Sequence, residues 1–313
     1  MKCLVTGCAG FIGTNLVSRL LELDDVKIEG VDNLSSSNIK NEDLILGMEC
    51  ENFEYYAIDF SDDAILDCVK DGDYDVVFHL GAIPRVSYSV ENPSETTHNN
   101  ITKTIELMEA CKESNTRFIF SSSSSVYGGA DKLPTPSDYP KNPKSPYAWQ
   151  KSAVEDAIDI FVDLYDLDAV SLRYFNVFGP NQYGDSPYST AVSAWCNAIK
   201  EGKSLRSDGD GEQTRDMCYV DNVVDANIRA ANYEKRFRGE KLNISCGDRV
   251  SNNQILEKFK ERFGDIEIVH APERVGDVKH TQADISETTR LLGYEPMVRF
   301  WEGLDRTFEW WKI

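Results

Sequence analysis

Three glycines near the start of the chain constrain its fold more than any other feature. Gly7-Cys8-Ala9-Gly10-Phe11-Ile12-Gly13 follows the apolar run Leu4-Val5-Thr6 directly and leads into an amphipathic stretch. A G-x-x-G-x-x-G turn in that place describes a strand–turn–helix unit. Glycine permits the tight turn and lets a ligand approach the backbone closely. The helix that follows offers unpaired N–H groups and the positive end of its dipole. Gly7, Gly10 and Gly13, with Phe11 and Ile12 between them, are therefore candidates for holding a pyrophosphate. A glycine trio alone is weak evidence, and its position after the first strand gives it weight.

The second half of this signal is Asp32, which ends the second predicted strand in Val31-Asp32-Asn33-Leu34, 19 residues past Gly13. A carboxylate there can accept both hydroxyls of an adenosine ribose and would repel a 2′-phosphate. Asp32 and its neighbour Asn33 thus point to NAD rather than NADP.

The pattern downstream agrees. Apolar runs at Lys2–Thr6, Val26–Val31, Phe53–Ala57, Asp75–Leu80, Arg117–Ser121 and Ala169–Tyr174 alternate with amphipathic stretches at Phe11–Leu23, Ala64–Lys70, Glu95–Glu113 and Ala148–Tyr165. Such alternation predicts an α/β chain with a Rossmann-type, doubly wound parallel sheet. The texture changes at the turn-rich stretch Gly179–Pro187, and an aromatic helix-like segment, Phe300–Trp311, lies near the end. Residues 1–178 are read as the NAD-binding domain. Residues 179–313 are read mainly as a smaller, mostly helical substrate lobe, with some segments returning to the first domain.

Composition excludes several function classes. With 53 acidic and 33 basic residues the net charge is -20, which repels a phosphate backbone, so no nucleic-acid partner is expected. No apolar run reaches the roughly 18–20 residues of a membrane span. The eight cysteines form no C-x-x-C pair, and the chain opens into a strand-like run without a signal peptide. A cytoplasmic protein is expected. His79, His98, His270 and His280 show no ligand spacing, so no metal is expected.

The chemistry is suggested by Tyr147-Ala148-Trp149-Gln150-Lys151, which puts a phenol and an ammonium on one helix face. A free phenol titrates near 10 and is a poor base at neutral pH. A neighbouring ammonium, with the nicotinamide cation of bound NAD, is expected to lower that value and make Tyr147 a usable base and acid. Upstream, Phe118-Ile119-Phe120 runs into five serines, Ser121 to Ser125, any of which could relay a proton from substrate to Tyr147.

The segments TGCAGFIG, VDNLSSS, FHLGAIPRVSYSVENP, FIFSSSSSVYGG, SPYAWQK, SLRYFNVFGPNQ, GDGEQTRDMCYVDNVVDA and ERVGDVKHTQADISETTRLLGY run through almost the whole chain. Jointly they resemble the extended short-chain dehydrogenase/reductase family, and within it the UDP-hexose 4-epimerases. The resemblance implies the glycines and Asp32 for NAD, Asp59 at the adenine amino group, and Asn100 as a prop for the active-site helix beside the cofactor. It implies Tyr147, Lys151 and Ser123 as the catalytic set, with Ser124 and Ser125 as near candidates. For the substrate it implies Asn176, Arg215 and Arg274 at the phosphates, Asp277 at the uridine ribose, and Thr281 beside the sugar's C2 substituent. Lys103 departs from the family, which usually has glycine there, and this places local helix packing in doubt. The family also implies a C2 homodimer through the helices of Glu95–Glu113 and Ala148–Tyr165.

A 4-epimerase uses NAD as a temporary hydride store, with a transient 4-keto sugar and no net redox change. Related dehydratases carry an Asp-Glu pair directly after the catalytic threonine, where this chain has Ser124 and Ser125. A serine cannot replace a carboxylate as a carbon base. Epimerisation is therefore expected ahead of dehydration or decarboxylation, and well ahead of a non-catalytic NAD-binding role. Thr281 is small, and with the AIPRVS and GDVKH segments it points to UDP-GlcNAc/UDP-GalNAc, with possible UDP-Glc/UDP-Gal activity. UDP-glucose alone is the alternative.

Overall fold

The computed structural model describes residues 1–184, 190–273 and 278–313. The first half alternates strand and helix: β1 (Lys2–Thr6), α1 (Phe11–Leu20), β2 (Lys27–Val31), α2 (Ile39–Met48), β3 (Phe53–Tyr56), α3 (Asp63–Lys70) and β4 (Val76–His79). It continues through α4 (Val86–Glu91), α5 (Pro93–Thr97), α6 (Lys103–Ser114), β5 (Arg117–Ser123), α7 (Pro146–Tyr165) and β6 (Ala169–Tyr174). Shorter elements follow: β7 (Val177–Phe178), α8 (Ala191–Lys200), β8 (Leu205–Asp208), β9 (Thr214–Arg215), β10 (Cys218–Tyr219) and α9 (Val220–Ala231). The chain ends with β11 (Arg238–Ile244), β12 (Val250–Ser251), α10 (Asn252–Phe263), β13 (Ile268–Ala271), α11 (Ser286–Leu292) and α12 (Phe300–Trp311).

Seven strands form one parallel sheet in the order β11-β6-β5-β4-β1-β2-β3. Its residues alternate between two cores, as a sheet buried on both faces requires. Cys3, Val5 and Ile119 join one core with Leu16 and Val17 of α1 and Val223 and Val224 of α9. Leu4, Phe118 and Phe120 join the other with Val69 of α3, Leu107 of α6 and Val154 of α7. A third core, with Trp195, Phe259, Leu304 and Phe308, binds α8, α10 and α12 into the smaller lobe. The strand order reverses between β1 and β4, and at such a point open α/β sheets bind ligands beyond their carboxyl ends.

The stretch Glu95–Glu113 is not one helix. It divides into α5, a π-helical turn at His98–Thr102, and α6. A π turn carries one extra residue and re-aims the side chains within it. Here Asn99 reaches the sheet's central cavity, while Asn100 turns inward. α7 starts at Pro146, two residues ahead of the predicted start, because the Ser145 hydroxyl accepts the Ala148 N–H at 3.2 Å and caps the first turn.

Candidate active site

A cavity of about 710 Å³ opens at the reversal of the strand order, lined among others by Gly10, Asp32, Asn99, Tyr147, Lys151 and Asn176. That is ample for a buried cofactor or substrate. At its floor the glycine turn is sterically closed to any side chain. Gly7 has φ of +71°, and a Cβ on Gly13 would lie 2.1 Å from the Gly7 carbonyl oxygen. Gly10 caps α1 without any side chain bonding the first turn, which leaves those N–H groups facing the cavity.

Asp32 sits at the end of β2. Its Oδ2 accepts the Ala9 N–H (3.1 Å) and the Ser37 hydroxyl (2.9 Å), and its Oδ1 accepts the Leu34 N–H (2.8 Å). Burial raises its pKa and these donors oppose the rise. A carboxylate oxygen can take a second donor, so Oδ1 retains capacity for a ribose hydroxyl. The bare glycine cradle and this carboxylate fit an adenine dinucleotide. Asp59 is held by the Asn33 amide (2.7 Å), by Ser61 and by the Lys103 ammonium (2.5 Å). Burial works against its ionisation, but these partners prevail and hold its pKa at about 2. Lys103 therefore packs the start of α6 against Asp59 by an ion pair, where the sequence left its packing in doubt.

Asn100 does not line the cavity. Its side chain bonds the Ile83 N–H (2.8 Å) and carbonyl (3.1 Å), and donates to Gln150 at 2.8 Å. It braces the π turn against α7, and its side-chain oxygen and nitrogen are engaged by Ile83 and Gln150. The sequence reading missed Asn99, its cavity-lining neighbour; the asparagine pair was visible, but nothing local shows which member faces inward.

Tyr147 and Lys151 lie one turn apart on α7, facing the cavity. The Lys151 ammonium donates to the Ser121 carbonyl at 2.7 Å and lies 4.6 Å over the Phe120 ring. Burial lowers its pKa to about 7, and the Glu155 carboxylate opposes this. Tyr147 departs from expectation: in the ligand-free chain burial pushes its phenol up to about 12, and only a hydrogen bond from Ser123 pulls it down. The sequence argument counted the ammonium and the nicotinamide cation and omitted desolvation. Of the serines, Ser121 bonds Tyr174 (3.1 Å) and Ser122 bonds Glu155 (2.6 Å). Of the five, Ser123 is the one that acts on the Tyr147 phenol, lowering its pKa. Ser124 opens the following 3-10 turn, and Ser125 Oγ is buried without a partner among the described residues.

At the far end, Asn176 Nδ2 donates to Thr281 Oγ1 (3.2 Å) and to the Asp216 carbonyl (3.1 Å). Thr281 N–H donates to the Thr214 carbonyl at 3.1 Å, which places Thr281 beside the strand that carries Arg215. Asn176, Arg215 and Thr281 thus meet at one edge of the cleft. Arg274 and Asp277 lie outside the described residues.

The model of the NAD dependent epimerase/dehydratase family matches residues 3–245. The chain belongs to this family. It is an NAD-dependent 4-epimerase, an isomerase, and NAD is its cofactor. A UDP-glucose 4-epimerase of Mycolicibacterium smegmatis is 35% identical over 100% of this chain and 99% of its own. A solved UDP-N-acetylglucosamine 4-epimerase from Methanobrevibacter ruminantium, in complex with UDP-N-acetylmuramic acid, superposes with a TM-score of 0.91 at 36% identity, covering 99% of this chain and 98% of that one. The UDP-glucuronic acid 4-epimerase from Bacillus cereus, in complex with UDP-glucuronic acid and NAD, gives a TM-score of 0.92 at 32% identity, covering 100% and 99%. The family residues Gly7, Gly10, Gly13, Asp32, Tyr147 and Lys151 all lie on one cleft.

Proposed function

We propose that this epimerase interconverts UDP-GlcNAc and UDP-GalNAc, with some activity on UDP-Glc and UDP-Gal. The observation that carries the sugar assignment is Thr281. Its side chain is small, and its hydroxyl accepts from Asn176 and from the Asp216 N–H, which holds it in one orientation beside Asn176. A bulky residue there would fill the space that a C2 N-acetyl group needs. A roomy pocket tolerates a smaller sugar better than a tight one tolerates a larger sugar.

In this reading Tyr147 Oη takes the proton from the sugar O4 and later returns it. Ser123 bridges O4 and Tyr147, and Lys151 supplies the compensating charge. Bound NAD would supply reversible hydride storage at C4. Gly7, Gly10, Phe11, Ile12, Gly13, Asp32, Asn33 and Asp59 would hold it. Asn176, Arg215, Arg274, Asp277, Ser124 and Thr281 would hold the nucleotide sugar. With serines at 124 and 125, the chain offers no carboxylate there for dehydration.

The test is to incubate the purified protein with UDP-GlcNAc, and separately with UDP-Glc, without added reductant, and to follow the sugars by proton NMR. The galacto epimer of UDP-GlcNAc is the expected product. Conversion of UDP-Glc alone would sink the Thr281 argument and leave the mechanism. A stable keto sugar or a pentose would reject the assignment.

A further inference from the structure

We propose that Asp216 is a positioning residue for nucleotide-sugar binding: its buried carboxylate clamps the strand carrying Arg215 and the segment carrying Thr281 onto the carboxyl edge of the sheet. The inference rests on the nucleotide-sugar reading of this edge and adds to it a residue that neither the motifs nor the cavity lining singled out.

Asp216 has no exposed surface. Its Oδ1 accepts the Ser245 hydroxyl (2.5 Å) and the Cys246 N–H (3.2 Å), both just beyond β11. Its Oδ2 accepts the Ala283 N–H at 2.8 Å. Its own N–H donates to Thr281 Oγ1 (3.1 Å), and its carbonyl accepts from Asn176 (3.1 Å). One residue thus ties together the ends of β6 and β11, the strand β9, and the segment 281–283.

The other ties between these pieces are short. β9 is a two-residue strand paired with an equally short β12. The segment from 278 to 285 forms two isolated bridges, Thr214 to His280 and Thr135 to Ala283, and single side-chain bonds such as Gln282 to the Gly247 carbonyl (2.9 Å). Without the carboxylate, the link from Ala283 to Ser245 and Cys246 is lost, and Arg215 and Thr281 rest on short pairings and single hydrogen bonds. Acid rather than amide is required by the partners: two of the three groups facing the carboxylate are backbone N–H donors, one on each oxygen. An asparagine would turn an NH2 towards one of them, donor against donor.

The site lies at the substrate edge and touches neither the glycine turn nor Tyr147. The clamp therefore acts on substrate affinity and not on the cofactor or the chemical step. In Asp216→Asn the KM for the UDP-sugar and the Kd for UDP are expected to rise at least tenfold. Bound NAD and kcat at saturation are expected to stay within about threefold of wild type. Ser245→Ala, which removes one donor and keeps the carboxylate, is expected to weaken UDP three- to tenfold with NAD content unchanged; it decides the matter if Asp216→Asn does not fold. UDP binding is measured by calorimetry on the NAD-loaded protein. Wild type that fails to bind UDP would overturn the nucleotide reading and this inference together. Wild type that binds UDP while both variants bind it equally well would overturn this inference alone, as would a parallel fall in NAD content, kcat and UDP affinity.

Discussion

Tyr147 and Lys151 are each displaced from their ordinary protonation behaviour by the same cause, the loss of water around them. Burial outweighs the Ser123 hydrogen bond and makes the phenol harder to ionise, to about 12; it outweighs the Glu155 carboxylate and makes the ammonium easier to deprotonate, to about 7. Between those values the pair has lost one proton, and a neutral phenol beside a neutral amine carries the same proton count as a phenolate beside an ammonium. Interacting groups of this kind titrate as a pair. Competence as a base therefore appears when the pair sheds its first proton, so kcat/KM is expected to rise with pH through about 7. In Lys151→Met only the phenol is left to titrate, and the same limb should move strongly alkaline, towards the value of about 12 set by burial. A pH–rate profile of the two proteins checks this, and an unmoved limb in the variant would dismiss the coupling. Tyr147→Phe keeps the ring and removes the proton carrier. It should lower kcat by roughly 10²–10⁴, the usual range for general acid–base catalysis, with NAD content unchanged.

Elements position these residues through two struts, one at each end of the cleft. At the cofactor end the β1–α1 turn depends on absent side chains. Gly13→Ala would drive a Cβ into the Gly7 carbonyl oxygen, so the turn must open, and the purified protein should lose most of its bound NAD as judged by absorbance and mass. At the catalytic end Asn100 and Gln150, both buried, lock the π turn to α7. Asn100→Ala removes four hydrogen bonds, two with Ile83, one from Asn99 and one to Gln150 on α7. At about 1 kcal/mol each, the loss is about 4 kcal/mol. Calorimetry should show a lowered Tm, and kcat should fall because α7 carries Tyr147. What was legible in the sequence follows the same division. The glycine turn, Asp32 and the shared face of Tyr147 and Lys151 depend on spacing within one element, and the pattern alone locates them. The choice of Ser123, the inward turn of Asn100, the ion pair of Lys103 with Asp59 and the clamp at Asp216 depend on partners 17 to 67 residues away. Periodicity carries no information about such pairings. The π turn escaped for a related reason: one inserted residue shifts the helical phase without changing the composition.

At the scale of the whole molecule the chain leaves an apolar stripe uncovered. On α7 Trp149, Ile160 and Leu164 are exposed by 49, 54 and 68%, and they recur at helical spacing along one face. The inner face of the same helix is spent on the sheet through Val154, Ile158 and Val162, so the outer residues do not belong to the protein's own core. A chain of net charge -20 repels its copies at long range, and only a dehydrated apolar seam acts against that at contact. We propose that α7 pairs with its symmetry mate across a two-fold axis, as the sequence resemblance implies. The charge makes the association dependent on salt: screening shortens the repulsion and leaves the apolar contact intact, so the dimer should tighten as ionic strength rises. Leu164→Glu would place two further carboxylates in a symmetric seam. Sedimentation should then report a dimer for wild type and a monomer for the variant, with the variant's far-UV spectrum unchanged because position 164 is exposed and near the end of α7. Wild type that sediments as a monomer at moderate salt would assign the stripe to some other surface. Because α7 also carries Tyr147 and Lys151, a monomeric variant with full kcat would show that the catalytic pair is held by its own sheet and by Asn100, and needs no second chain.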